Sequence, residues 1–498
     1  MTTSWTIFTR RLNCWVIIIE NTSRCQNKSP LKFRLYFVNI TNMSVKKINF
    51  RNLFLAGFKI IITIILIAAG SLTAYAQSGT DGLDYELINN GQAYSVSKGT
   101  VTKGIVVIPA VYNDLPVTAI SELAFKLTKI TGVTIPNSVT VIGEQAFDSC
   151  TSLASVTIGN GVTNIESWAF ANCTGLKSIT IPDNVKTIEF GAFMSCLKLS
   201  SVIIGNSLTT IGEQAFYKCA SLTDITIPNS VKIIDISAFM SCSKLKSVNI
   251  GNGVTTIGEL AFKDCTSLTS VSIPDSVTVI GDGTFNRCAK LASVTIGNNV
   301  TAIGEIAFQY CASLTDVIIP DSVKIIGNNA FMSCLKLKNV TIGNGVTAIG
   351  EYAFQGCIGL TNITIPNNVT SIGQSAFFRC AKLASATIGN GVTTIGENTF
   401  GICAGLTRVT IGNGVTGIGR WAFQGCTSLT GVTIPKNVTA IEEGVFTKCA
   451  KLASVTFEGN IASDNFSPTD AFPGDLRAKY LAGGTGTYTN KGGKWSKS

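Results

Sequence analysis

The chain has no histidine among its 498 residues. This absence removes the commonest general base and the commonest metal ligand of proteins, and it excludes Ser-His-Asp and Cys-His catalytic arrangements. Charged residues are also scarce, at 14% of the chain, whereas an average soluble domain has about 25%. No Cys-x-x-Cys pair is present, although such pairs are typical of zinc sites. The sequence therefore predicts a protein that is not an enzyme and that holds no cofactor or metal.

Excess positive charge is missing from most of the chain. The net charge is +10, but the segment 1–76 carries ten Lys and Arg residues with a single acid, Glu20. The remainder is therefore close to neutral. A protein that binds nucleic acid usually carries a basic stripe, and the sequence shows none. We expect no nucleic-acid partner.

A targeting signal precedes the neutral part of the chain. Basic residues in 46–51 come before an apolar run at 60–69, and Ala74-Tyr75-Ala76 follows. A basic start, an apolar centre and small residues at positions −3 and −1 are the features of a secretory signal peptide. We expect cleavage between Ala76 and Gln77.

The predicted signal peptide spans residues 43–76, and it has one rival interpretation. A membrane anchor would need about 20 mostly apolar residues, but the run counted from Leu53 is shorter and Lys59 interrupts it. Residues 1–42 remain unassigned, either as an extension or because translation begins at Met43. We expect a secreted or cell-surface protein that touches a membrane only through this leader.

Cysteine recurs every 23 residues from Cys150 to Cys449, and a phenylalanine keeps the same interval from Phe147 to Phe446. A repeat of 20–29 residues with recurring branched apolar positions is the signature of a leucine-rich-repeat solenoid. In such a fold each repeat buries its apolar face against its neighbours. We expect interior columns formed by Phe147, Phe170, Phe193, Phe216 and Phe239, and by Cys150, Cys173, Cys196, Cys219 and Cys242.

The repeat at 151–173 illustrates the expected coil. Alternation in Val156-Thr157-Ile158 predicts a half-buried strand. The sequence Gly159-Asn160-Gly161 predicts a turn, and we interpret residues 166–170 as one helical or 3₁₀ turn. The predicted fold is a mainly β leucine-rich-repeat solenoid with one short parallel strand per 23-residue coil and short helical turns.

The chain divides by pattern into a repeat array and two different ends. Residues 77–116 are predicted to form an N-terminal cap, and residues 117–460 to form a solenoid of about fifteen coils. Residues 461–498 are predicted to form a C-terminal cap and a flexible tail, with disorder beyond Gly483.

The periodic cysteines allow three interpretations. Export favours disulfides in general, but neighbouring repeats place their Cβ vectors in parallel, which suits disulfide geometry poorly. Metal sites need converging ligands. A free cysteine packs as a small apolar residue, so we favour buried thiols and leave the other two open.

Proline and glycine alternate after the predicted strands. Ile181-Pro182 and Ile227-Pro228 carry proline, whereas Ile158-Gly159 and Ile250-Gly251 carry glycine. The repeating unit is therefore 46 residues over much of the array. We interpret the alternation as a record of tandem duplication.

The solvent side of the strands is the expected working surface, and it is rich in small hydroxyl side chains. Serine and threonine also simply tolerate a solvated strand face, so this composition alone does not require a ligand. The candidate contacts are Asp224, Ser247, Asn249, Ser270, Ser272, Asp316, Asn339, Asn362 and Arg408.

Acidic residues at one repeat position could in principle form a glycosidase pair. They recur by period, mostly in alternate repeats, which favours a solvated position or a role at a helix start. These residues are Glu144, Glu213, Glu259, Glu305, Glu351 and Glu397.

The units, written Leu-x-x-Val-x-Ile-Pro-x-x-Val-x-x-Ile-Gly-x-x-Ala-Phe-x-x-Cys, resemble the BspA-like leucine-rich repeats over about residues 105–458. The resemblance implies a bacterial, exported surface protein of a family linked to adhesion. We therefore expect an adhesin-like recognition protein whose solenoid face binds an extracellular protein or glycan. The alternative is a structural envelope or spacer component without a specific ligand.

Overall fold

The computed structural model of the chain describes residues 79–498 and three earlier strands: β1 (Trp15–Asn21), β2 (Phe33–Asn39) and β3 (Val45–Ile48). The chain divides into two units, 1–76 and 77–498. In the first unit the strands form an antiparallel sheet in the order β1-β2-β3. The predicted apolar run at 60–69 and the predicted cleavage pair Ala76–Gln77 lie outside the described residues.

The second unit begins with strands that differ from the repeats. They are β4 (Asp84–Ile88), β5 (Ala93–Ser97), β6 (Lys103–Val107), β7 (Val111–Tyr112) and β8 (Leu115–Ile120). A 3₁₀ turn at Asn89–Gly91 connects β4 to β5, which pair in antiparallel fashion. Strand β8 then pairs with β5 in parallel, so the cap passes directly into the stacked coils.

The coils contribute two strands each, a longer first strand and a second strand of two residues. In chain order they are β9 (Lys129–Thr134), β10 (Val141–Ile142), β11 (Ser155–Thr157), β12 (Asn164–Ile165), β13 (Ser178–Ile181), β14 (Thr187–Ile188), β15 (Ser201–Ile204), β16 (Thr210–Ile211), β17 (Asp224–Ile227), β18 (Ile233–Ile234), β19 (Ser247–Ile250), β20 (Thr256–Ile257), β21 (Ser270–Ser272), β22 (Val279–Ile280), β23 (Ser293–Thr295), β24 (Ala302–Ile303), β25 (Asp316–Ile319), β26 (Ile325–Ile326), β27 (Asn339–Ile342), β28 (Ala348–Ile349), β29 (Asn362–Ile365), β30 (Ser371–Ile372), β31 (Ser385–Ile388), β32 (Thr394–Ile395), β33 (Arg408–Thr410), β34 (Gly417–Ile418), β35 (Gly431–Ile434), β36 (Ala440–Ile441) and β37 (Ser454–Phe457).

Equivalent strands pair in parallel, which confirms the predicted solenoid. The predicted strand of each coil is accompanied by a short second strand, and these second strands form a sheet of their own. We name the two surfaces the first-strand sheet and the second-strand sheet. Hydrogen-bonded pairing within the first-strand sheet lapses between β11 and β13, and within the second-strand sheet between β30 and β32.

The coils pack in pairs, and this gives the alternation of proline and glycine a physical cause. Four residues of β17 pair with β19, whereas β19 pairs with β21 through Ser247 and Ser270 alone. Within the tight pair, a Cβ atom on Gly251 would lie 2.6 Å from the carbonyl carbon of Pro228. Glycine is therefore required where one backbone crosses closely over the preceding proline.

The turn between the second strand and the cysteine is not helical, which corrects the prediction for residues 166–170. Trp168 and Asn172 have φ values of 53° and 57°. Their N–H groups donate to the carbonyl oxygens of Phe190 and Met194 in the next coil, at 2.8 and 2.7 Å. A helix would use those N–H groups in hydrogen bonds within its own turn. Because these residues have a left-handed conformation, their N–H groups point along the stack and form a third ladder of hydrogen bonds between coils.

The core is a set of columns that run through the whole array. Neighbouring phenylalanines from Phe125 to Phe446 stack with ring centroids 5.0–5.5 Å apart and within 12° of parallel. The predicted interior residues Phe147, Phe170, Phe193, Phe216 and Phe239 are all fully buried. Each coil therefore packs an identical phenylalanine ring against the ring of its neighbour.

The C-terminal segment closes the first-strand sheet, and the predicted disorder beyond Gly483 is wrong. Strand β38 (Gly486–Lys491) pairs with β37 in antiparallel fashion, and β39 (Lys494–Lys497) pairs with β38. A 3₁₀ turn at Ser463–Asn465 and helix α1 (Leu476–Gly483) precede them. Trp495 is only 2% exposed and donates to the carbonyl oxygen of Pro473 at 2.8 Å. Burial of this ring holds the hairpin in place.

Phe308→Ala is expected to lower the free energy of unfolding by about 3–5 kcal/mol, because the fully buried ring would leave a cavity between Phe285 and Phe331. Hydrogen exchange should accelerate first in the adjoining coils, since each coil contacts only its neighbours. Phe378→Ala, which removes a half-buried ring on the turn, is the control and should cost less. A uniform rise in exchange along the array would contradict the expectation.

Gly251→Ala is expected to cost about 1–3 kcal/mol in urea unfolding, because the added methyl group meets backbone atoms of Pro228 that cannot move aside. Gly417→Ala is the matched control, since its nearest neighbour would be the Thr394 methyl group at 3.9 Å. Equal stability of the two variants would show that the paired coils tolerate a wider separation.

Candidate functional site

Parallel pairing brings all of the predicted contact residues onto the solvent face of the first-strand sheet. Asp224 lies beside Ser247, and Ser247 beside Ser270. The same row continues through Ser293, Asp316, Asn339, Asn362, Ser385 and Arg408. We call this line, which holds the first residue of each of these first strands, the polar row.

Asn249 and Ser272 lie in the neighbouring row, two residues further along their strands, where most coils have threonine. Every one of the predicted contact residues is exposed. The face is therefore continuous and accessible, and its departures from serine and threonine cluster between β17 and β33.

Hydrogen bonds between coils order the side chains of the polar row. Asn339 Nδ2 donates to Asp316 Oδ1 at 2.6 Å, and the Ser247 hydroxyl donates to Asp224 Oδ1. These bonds lower the pKa of Asp316 and of Asp224, with smaller contributions from a preceding threonine and a nearby lysine in each case. Both carboxylates are thus held ionised and in a set direction on the surface.

Two apolar residues on this face escaped the sequence analysis. Ile203 and Ile318 are 60% and 70% exposed in the row where most coils have threonine. Their signal was the unbroken run Val202-Ile203-Ile204, in which a polar residue is expected at the centre. Exposed isoleucine beside ordered polar groups provides the apolar contact that recognition surfaces usually contain.

Open grooves border the same face where the strands end in the proline and glycine turns. One has a volume of about 550 Å³ and is lined by Asn206, Thr226, Asn229, Asn249 and Asn252, with their neighbours. A second, of about 680 Å³, includes Asn344, Asn367, Asn390 and Asn413. Amide and hydroxyl groups that line a shallow groove can both donate and accept hydrogen bonds, so the grooves suit a polar ligand.

The periodic cysteines are free thiols inside the solenoid, as favoured by the sequence analysis. Cys173 Sγ donates to the carbonyl oxygen of Phe147 at 3.1 Å, and the same oxygen accepts from the N–H of Cys150 at 3.2 Å. The pattern recurs to Cys449. Burial raises the pKa of Cys196, and likewise of Cys242, from 9.0 to about 12. These thiols are therefore structural groups without nucleophilic character.

The periodic acids do not lie at helix starts, because the segment that follows them is not a helix. Residues between the second strand and the turn carry a carboxylate in successive coils, not only in alternate ones. The stripe includes Glu122, Glu144, Glu166, Glu189, Glu213, Asp235, Glu259, Asp282 and Glu305. Most have no cation within ion-pair distance among residues 79–498. There the one ion pair that involves a carboxylate just after a second strand joins Arg420 and Glu442. The acids form a solvated stripe.

Part of the positive charge likewise lies on one line, which the sequence analysis did not single out. Six exposed lysines stand just before the buried leucine that leads into a first strand, and the sixth, Lys451, lies three coils beyond the others. The first five recur in every second coil and lie in one column: Lys198, Lys244, Lys290, Lys336 and Lys382. We call this set the lysine column. The overall neutrality of the sequence conceals it, because the acids lie at a different corner of each coil.

The described part of the chain holds no group of three or more Cys, Asp or Glu side chains able to bind a metal ion together. None of its helices combines the length and the apolar character that crossing a bilayer requires.

A family model described as a BspA type leucine rich repeat region with six copies matches residues 118–246, 232–361 and 347–469. A leucine-rich repeat protein of Bacteroides ovatus is 28% identical, with a TM-score of 0.55, over 76% of this chain and 88% of that chain.

Other solved structures are similar over comparable lengths. A leucine rich cell surface protein of Faecalibacterium prausnitzii is 28% identical over 78% of this chain and 96% of that chain, with a TM-score of 0.36. The pneumococcal vaccine antigen PcpA is 18% identical over the same shares, with a TM-score of 0.42. No curated protein matches the chain.

The buried thiols are expected to resist alkylation in the folded protein at pH 8 and to react once the chain is unfolded in urea. Their folded pKa lies above the unfolded value, so the stability they contribute is present below pH 9 and is lost as the pH rises towards about 12. Mass spectrometry of iodoacetamide-treated protein and alkaline unfolding followed by circular dichroism test both points. Rapid labelling of Cys196 or Cys242 without unfolding would contradict the assignment.

Proposed function

Because the chain belongs to the family of proteins with BspA-type leucine-rich repeats, we propose that it is an exported recognition protein without enzymatic activity. Its first-strand sheet binds a protein or glycan on a host or microbial surface. Leucine-rich-repeat solenoids typically serve as binding scaffolds, and extended repeat surfaces are suited to large partners. The proposal includes a secreted or surface-displayed location, which the predicted leader supports.

The observation that carries the proposal is the set of departures from the repeat on the polar row. Serine is the common residue at this position, yet β17, β25, β27, β29 and β33 begin with Asp224, Asp316, Asn339, Asn362 and Arg408. These side chains do not stabilise the core, since all are exposed. Charged and amide side chains that replace serine on one accessible face of a rigid array are what a surface selected for binding would show.

The physical state of this face also favours binding. Hydrogen bonds between neighbouring coils hold Asp224, Asp316 and Asn362 in place, so less side-chain entropy is lost when a partner docks. Ile203 and Ile318 add exposed apolar area on the same sheet. A passive spacer would need neither feature.

Reversion of the polar row to the common residue tests the proposal. A variant with Asp224, Asp316, Asn339, Asn362 and Arg408 changed to serine, and Ile203 and Ile318 changed to threonine, keeps the repeat pattern. We expect at least a tenfold loss of affinity, or about 1.4 kcal/mol, for a partner that the wild type captures on arrays of host and microbial surface proteins and glycans. The melting temperature should not change, because the altered side chains are exposed.

The matched control changes exposed apolar residues of the other sheet, as Ile233→Thr, Val279→Thr and Ile325→Thr. It should bind as the wild type does. Unchanged binding by the reverted variant would refute the assignment of the face. If the wild type captures nothing from either array, the spacer function replaces the proposal.

A further inference from the structure

The lysine column is a charged surface that the proposed recognition face does not use. Its five members recur every 46 residues, which is one per pair of coils. All are exposed. They lie three residues ahead of their first strands, at the corner where the cysteine turn ends, and outside the polar row.

The spacing of the column follows from the stacking of coils. Parallel strands lie about 4.8 Å apart, so lysines in alternate coils recur about every 10 Å along a line on the order of 40 Å long. The intervening coils carry small residues at this position, namely Ser221, Ser267, Ser313 and Gly359. Nothing bulky projects between one ammonium group and the next.

Few carboxylates oppose this charge. None of the five lysines has an acidic partner within 4.0 Å among residues 79–498, where the ion pairs lie elsewhere. Asp224 and Asp316 lie three residues beyond the column position of their own coils, where the nearby cations that act on them are Lys246 and Lys338. Asp264 lies in the coil between those of Lys244 and Lys290, three residues before Ser267, which occupies the column position there.

Further cations lie beside the column. Arg287 and Arg379 flank it, with their guanidinium groups over the rings of Tyr310 and Phe378 at 5.8 and 5.2 Å. Charges about 10 Å apart interact across roughly one Debye length at moderate salt. The column therefore presents a regular positive potential that an anionic polymer would neutralise.

We infer that the lysine column binds a linear acidic polysaccharide with one carboxylate or sulfate group per disaccharide. In such a polymer the acidic groups are separated by two sugar units, which matches the wide interval of the column better than a denser polyanion. A rigid row of equally spaced cations selects an extended chain, since every further repeat of the polymer meets a further lysine.

Nucleic acid fits the column less well. Phosphates follow each other every 3.4 Å or so along one strand, about three times more densely than the lysines. Binding to single strands also relies on aromatic side chains on which bases stack. The residues next to the lysines in sequence are aliphatic or small, as at Leu197, Ala289, Leu335 and Ala381. The rings of Tyr310 and Phe378 near the column are each already in contact with an arginine.

The experiment measures binding of the full-length chain to hyaluronan oligosaccharides of increasing length, which carry one carboxylate per disaccharide, and to duplex DNA. We expect affinity to rise with each added disaccharide until the oligosaccharide spans the column, and to fall as the salt concentration is raised. Changing all five lysines to glutamine should weaken binding about thirtyfold, at roughly twofold for each exposed ion pair.

The control variant changes five exposed lysines outside the column, Lys103, Lys186, Lys232, Lys324 and Lys436, to glutamine. It alters the net charge equally and should retain nearly full affinity. Equal losses in both variants, no dependence on oligosaccharide length, or tighter binding of DNA than of hyaluronan would each overturn the inference. The reverted polar row should leave hyaluronan binding intact, so failure here is separable from failure of the proposed function.

Discussion

The structure depends on hydrogen bonds that run from each coil to the next. Strands pair along both sheets, the left-handed residues of the turn donate forward, and every cysteine thiol in the array donates back to a phenylalanine carbonyl oxygen. These bonds repeat in one pattern where neighbouring coils have the same outline and length. The strict interval of 23 residues is the consequence, because an insertion in one coil would disrupt three ladders at once.

The same constraint separates the interior from the surface. Interior positions such as Phe308 and Cys311 are completely buried and must match their neighbours above and below. Positions on the polar row and in the lysine column face solvent and are free to vary. Stacking then converts a repeated position into a line. A favourable substitution in one unit therefore recurs along that line at fixed distances when the unit is duplicated. Charge that is balanced in the composition becomes separated in space by this geometry.

The period predicted the solenoid, the columns of Phe147 and Cys150, and the exposure of the contact residues, because these follow from hydrophobic alternation alone. It did not predict the turn conformation at Trp168, where bonds to the next coil override the local preference for a helical turn. It also missed the hairpin that contains Trp495, because a ring buried against the end of the array has no periodic signal. The contact of Gly251 with Pro228 was invisible for the same reason, since the two residues meet only after coils stack.

By itself the sequence determined what kind of object the chain forms. Residues that repeat every 23 positions can bury their apolar faces only against copies of themselves, and the lack of histidine removes the commonest general base. Only the tertiary structure decided which residues become neighbours across coils. It placed Asp224 beside Ser247, aligned Lys198 with Lys244, and left Ile318 in water, because those relations depend on the register of stacking and on which corner of the coil each side chain occupies.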